Sequence, residues 1–306
     1  MKRYCLSVFV LFCFQGVAQP SFEGLLRINK YDTYVRVIGK GDPIILIHGG
    51  PGMDHSYFLP YMDALSDQYK LIYYDSRGMG RSSIDIDSTR FSFKLLVDDI
   101  EALRKELKLS KVTVLGHSWG GLLAMNYAIQ YPDHLKSLIL LNSNSASKEF
   151  DATIAKNMSA RWTKEDLEKR SQLVSSPEFR NGNPTLMEQL MRLSFKHTFH
   201  DKRLSDSLQL FFPPDYKLRA GLLRFLAKDL AAYDFHADLQ KITAPTLIIH
   251  GEDDIIPVES DTKLHQSISA SRLVIMSECG HFPFIEKPRE FKRIISEFLR
   301  RQKASP

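Results

Sequence analysis

Over the first 140 residues, short apolar runs alternate with longer segments whose apolar positions recur every three or four residues. The runs fall at residues 25–28, 34–38, 44–47, 71–74, 112–115 and 138–141, each rich in β-branched or aromatic side chains. That is the pattern of strands. The later runs carry apolar residues on both faces, as strands buried inside a parallel sheet should. Between them, residues 93–107 place Leu95, Leu96, Ile100, Leu103 and Leu107 on one stripe with Asp98 and Asp99 off it, which predicts an amphipathic helix. Two more strands are predicted at 246–249 and 273–276, and a last helix from about residue 288 to 300.

Residues 143–236 break this rhythm. They contain polar, helix-forming segments at 164–173, 186–196 and 217–230, separated by Pro177, Pro184 and Pro213-Pro214. The expectation is an all-helical insertion in a sheet domain. His197 and His200 lie three apart within it, but no third ligand accompanies them, so a surface pair is expected rather than a metal site.

The chain has 306 residues, 43% hydrophobic and 25% charged, enough for a sizeable core. Its first residues stand apart. Met1-Lys2-Arg3 precedes an apolar run from Tyr4 to Phe14, then small residues up to Ala18. This reads as a signal peptide over residues 1–18, and hence a protein exported to the periplasm or secreted. The run is shorter than the roughly 20 apolar residues that span a bilayer, so no stable membrane insertion is expected after cleavage. Cys5 and Cys13 leave with the leader, and Cys279 alone cannot form an internal disulfide. The net charge of +5, less the cations Lys2 and Arg3, is mild and evenly spread. It gives no footprint for nucleic acid.

The densest chemistry is "GHSWGG", residues 116–121, between an apolar run and a helix-forming segment. It fits G-x-S-x-G, in which a serine sits on a sharp strand-to-helix turn. Glycines at 116 and 120 avoid collision with neighbouring backbone, and the hydroxyl stands at a helix N-terminus that favours negative charge. Ser118 is therefore the candidate nucleophile. A serine needs a base and a group to orient that base, and after such an elbow these follow as acid, then histidine. "HGEDD", residues 250–254, follows one late strand and "GHFP", residues 280–283, follows the last. We assign His281 as base and Asp254 as its orienting acid, with Asp253 as the competitor one step away. His117 should point away from the hydroxyl, His250 should be structural, and His48 should brace the turn it opens. That turn, "HGGPG" at 48–52, offers the N–H of Gly50 for an oxyanion hole, with the N–H of Trp119 as the second donor.

Five segments together, "HGGPG", "YDSRGMGRS", "GHSWGG", "APTLIIHGEDD" and "GHFPFIEKP", resemble the α/β-hydrolase superfamily, and within it the proline iminopeptidase group. The resemblance implies an α/β-hydrolase fold, an eight-stranded and mostly parallel sheet. Its core would be residues 19–142 and 237–306, with the helical cap at 143–236 inserted after the sixth strand. Asp75 and Arg77, also in the matching segments, are read as loop braces. The implied activity is release of N-terminal proline from short peptides through an acyl-enzyme, with no metal or organic cofactor. Such an enzyme must meet a protonated amine with cap carboxylates. Glu165 and Asp166 beside Trp162, and Glu188, Asp229 and Asp234, are available, and none is assigned. The alternative is a carboxylesterase acting on small acyl compounds. A binding protein that has lost its chemistry is disfavoured because neither the triad nor the oxyanion loop is broken.

Overall fold

The computed structural model describes residues 21–85, 87 and 91–303; the expected leader lies outside them. Eight strands form one sheet: β1 (Phe22–Ile28), β2 (Tyr31–Ile38), β3 (Asp42–Ile47), β4 (Tyr69–Tyr74), β5 (Val112–His117), β6 (Leu135–Leu141), β7 (Thr246–Gly251) and β8 (Ser271–Met276). Their spatial order is β1-β2-β4-β3-β5-β6-β7-β8. The pairs β1/β2 and β2/β4 are antiparallel and the rest parallel. β1 and β2 form a hairpin whose two turn residues, Asn29 and Lys30, both have positive φ, which suits the right-handed twist of the flanking strands.

Alternation along the central strands divides the core into two layers. Ile45, Ile47, Val114, Leu138, Leu140 and Ile248 face α1 (Phe93–Glu106) and α2 (Trp119–Gln130). Ile44, Leu46, Leu115, Ile139, Leu141, Leu247 and Ile249 face the other way, toward the last helix, α11 (Pro288–Lys303). β5 and β7 are buried at every residue, which explains their lack of a polar face. Each such aliphatic side chain contributes about 1.5–3 kcal/mol by leaving water.

The strand order reverses between β3 and β5, and in open α/β sheets ligands bind beyond the carboxyl ends of strands at such a point. The register places Ile47, the last residue of β3, opposite Gly116 near the end of β5. The loops after the two strands are therefore neighbours.

Between β6 and β7 the regular elements are helices: α3 (Asp151–Arg161), α4 (Lys164–Ser175), α5 (Pro177–Arg180), α6 (Pro184–Phe195), α7 (Tyr216–Asp229) and α8 (His236–Leu239). The chain leaves and returns through one neck, where Ser147 and Asp234 form an isolated antiparallel bridge and Phe235 N–H donates to Ala146 O at 2.9 Å. Helices α9 (Val258–Ser267) and α10 (Pro283–Glu286) follow β7 and β8 respectively. His197 is not at the surface as expected. It is fully buried against Trp162, with Nε2 3.1 Å from Asp166 Oδ2, because the start of α4 folds over it.

Candidate active site

Ser118 lies between the last residue of β5 and the first of α2, at φ 55° and ψ −124°. Few side-chain-bearing residues adopt this conformation, and surrounding contacts must impose it. They do so through three backbone hydrogen bonds. Ser118 N–H donates to Leu141 O at 3.0 Å, and its carbonyl accepts from Gly121 N–H at 2.9 Å and Asn144 N–H at 3.1 Å. The glycines permit the close packing. A Cβ at Gly116 would overlap the Gly120 carbonyl, and one at Gly120 would overlap the Ile47 carbonyl and lie 2.6 Å from His48 O.

His281 follows β8, and Asp254 follows β7. His281 Nδ1 is 2.8 Å from Asp254 Oδ2, and both side chains are buried. A carboxylate only accepts, so Nδ1 donates the hydrogen in this bond. Burial pushes the Asp254 carboxyl up, but the charge and hydrogen bond of His281, with His250 and Asn142 adding to them, hold it at about 2. Asp254 Oδ1 accepts from Ile255 N–H at 2.6 Å, and Oδ2 also accepts from Asn142 Nδ2 at 2.7 Å. Asp253 instead pairs with His200 Nδ1 at 2.7 Å, both nearly half exposed.

Asn142 and Glu286 were not anticipated from sequence. Asn142 ends the apolar run of β6 and also donates to Gly280 O at 3.1 Å. A polar side chain at the carboxyl end of a buried strand is the signal that could have found it. Glu286 accepts from the N–H groups of Gly280 at 2.9 Å and His200 at 2.8 Å, bracing the turn before His281.

The turn after β3 brings Gly49 against the elbow, where an added Cβ would lie 3.0 Å from the Ser118 Cβ. Gly50 has φ 125°, a conformation suited to glycine. Trp119 opens α2, and the first N–H groups of a helix have no intrahelical acceptor. His48 Nδ1 lies 2.9 Å from Gly49 O, and Nε2 accepts from Ser76 N–H at 3.1 Å. Asp75 accepts from His55 Nδ1 at 2.6 Å and Arg81 N–H at 2.7 Å. Arg77 makes two hydrogen bonds to Asp99, at 2.8 and 2.6 Å. These pairs brace loops. His250 pairs with Asp261 at 2.7 Å in the interior.

Ser118 and His281 line one cavity of about 450 Å³. Its other walls are largely apolar: Ile154, Ala155 and Met158 of α3, Phe195 of α6, and Ile255 and Ile256, with Asn144 and Thr198 as polar groups. α3 is fastened to the acid loop by Asn157 Nδ2 donating to Ile255 O at 2.9 Å and Arg161 Nη2 to Asp254 O at 2.9 Å. None of the five carboxylates considered from sequence lines this cavity. Glu165 pairs with Lys169, Asp166 with Lys196 and His197, and Glu188 with Arg192. Asp229 accepts from Phe93 N–H and Asp234 from His236 N–H. The carboxylate that does line it is Asp151, half exposed at the start of α3 and 3.7 Å from Lys148 Nζ.

An eight-stranded, mostly parallel sheet with a serine elbow at its switch point defines an α/β-hydrolase, and the chain belongs to that family. The family model for the alpha/beta hydrolase fold matches residues 42–288. The chain is similar to the proline iminopeptidase of Lactobacillus helveticus, 30% identical over 90% of this chain and 97% of that one. Among solved structures it resembles the proline iminopeptidase of Mycobacterium smegmatis, with a TM-score of 0.70, 23% identity, and 92% and 98% of the two chains covered. It also resembles an esterase from Exiguobacterium antarcticum, with a TM-score of 0.67, 23% identity, and 91% and 100% covered. Among the described residues no helix is long and apolar enough to cross a membrane.

Proposed function

We propose that the protein is a serine hydrolase working through Ser118, His281 and Asp254, and that it releases N-terminal residues, proline above all, from short peptides. The observation that carries the chemistry is that His281, paired with the buried Asp254, lines one cavity with Ser118. Ser118 Oγ attacks the carbonyl carbon while His281 Nε2 takes its proton. The N–H groups of Gly50 and Trp119 stabilise the oxyanion. His281 returns the proton to the leaving amine, and water then cleaves the acyl-enzyme by the same steps in reverse. Asp254 holds the imidazole in the required tautomer and stabilises its charged form.

The peptidase assignment draws on the similarity to proline iminopeptidases and on Asp151, an acidic group for the substrate ammonium. The apolar walls favour a second reading, hydrolysis of small esters, which needs no such group. Turnover of prolyl 4-nitroanilide and 4-nitrophenyl acetate by the purified enzyme and by Ser118→Ala tests both. The expected result is hydrolysis of the prolyl anilide, abolished in the variant. Hydrolysis of the acetate alone would transfer the assignment to the esterase reading.

A further inference from the structure

A chain of buried hydrogen bonds runs behind the site through groups to which the reaction assigns no step. Gly49 N–H donates to the Tyr57 hydroxyl at 2.5 Å. That hydroxyl lies 2.9 Å from His117 Nδ1, and His117 Nε2 lies 2.8 Å from the carbonyl oxygen of His281. Both connecting side chains are at most 3% exposed. The ends of the chain fix its protons. A carbonyl only accepts, so His117 Nε2 carries a hydrogen. Burial, and then the neighbouring His281, push the His117 imidazole down to about 3, so it is neutral and Nδ1 accepts. Tyr57 O–H therefore points at Nδ1, and a lone pair on its oxygen receives the Gly49 N–H. Every donor and acceptor is matched in one direction.

Gly49 is also held on its other side, because His48 Nδ1 donates to its carbonyl oxygen. The Gly49–Gly50 peptide is not among the cis bonds. In a planar trans peptide the next N–H points opposite to the carbonyl, so pinning Gly49 aims the Gly50 N–H. We propose that Tyr57 and His117 are positioning residues that tie the oxyanion loop to the His281 backbone, keeping the Gly50 N–H and the imidazole in a single register. This rests on the roles given above to Ser118, His281 and Gly50.

The test is steady-state hydrolysis of 4-nitrophenyl acetate, or of prolyl 4-nitroanilide if that is the better substrate, with thermal unfolding of each variant. Tyr57→Phe and His117→Phe should each lower kcat about tenfold to a hundredfold with KM little changed. The double variant should be no worse than the poorer single one. His117→Gln presents one acceptor and one donor and should recover most of what His117→Phe loses. Multiplicative losses, kcat near wild type in either Phe variant, or equal losses from Gln and Phe would overturn the proposal. Should the Phe variants fail to fold, His117→Gln decides: folded and active supports the chain, folded and impaired overturns it. Turnover surviving in Ser118→Ala would instead overturn the nucleophile assignment. An inactive Ser118→Ala beside an unimpaired Tyr57→Phe sinks only the chain.

Discussion

The backbone at Ser118 is the most directly testable strain in the molecule. Its conformation, φ 55° and ψ −124°, is unfavourable because of Cβ and not because of the hydroxyl. Ser118→Ala keeps Cβ and should leave stability close to wild type, whereas Ser118→Gly removes it. A residue held in such a region stores about 1–3 kcal/mol. Glycine gives back about 0.5–1 kcal/mol of this through the greater freedom of its unfolded chain. The net gain for Ser118→Gly is then centred near about 1 kcal/mol, between bounds of roughly 0 and 2.5 kcal/mol. The three backbone hydrogen bonds of residue 118 persist in both variants, so the difference isolates the side chain. Each kcal/mol should move the thermal midpoint by about 2–4 °C at most in a chain of this size. Urea unfolding at constant m, together with thermal scans, would compare the three proteins, and both variants should be inactive. Strain would be refuted as a property of Cβ if Ser118→Gly were no more stable than Ser118→Ala.

Asp254→Asn should flatten the acid limb of stability. The folded carboxyl is held at about 2, below its ordinary value of 3.8, so wild type gains stability above about pH 4 and loses it as pH falls toward 2. The amount is on the order of 2 kcal/mol, and urea midpoints across that window would show the variant lacking the slope. Asp151→Asn should raise KM for prolyl 4-nitroanilide about two- to fivefold, the worth of a half-exposed charge pair, and leave ester hydrolysis unchanged; equal effects on both substrates would remove Asp151 as the ammonium partner. Gly120→Ala forces a methyl onto the backbone of β3 and its loop, costing about 1–3 kcal/mol and lowering kcat at least about tenfold, measured by unfolding and by kinetics.

The parts legible in the sequence were those whose surroundings leave one solution. β5 and β7 lie between two helical layers, so their composition alone marks them. The elbow glycines report carbonyl contacts that tolerate no side chain. β1, β2, β3, β4, β6 and β8 each begin two or three residues before their apolar runs, because backbone pairing continues through polar residues whose side chains carry no apolar signal. α3 went unrecognised for a different reason. It has no fully buried residue and turns Ile154, Ala155 and Met158 toward a cavity instead of a core, so its apolar stripe is thin. Asp151 was missed along with it. His117 was expected to point away from the Ser118 hydroxyl; its links to Tyr57 and the His281 carbonyl span 60 and 164 residues, and no local pattern encodes contacts of that range.

The most direct measurement of the nucleophile is peptide mapping by mass spectrometry after treatment with a fluorophosphonate. One adduct is expected, on Ser118, formed much more slowly in His281→Ala and absent in Ser118→Ala. An adduct on another residue, or labelling of Ser118 at the wild-type rate without the imidazole, would contradict the roles given to Ser118 and His281.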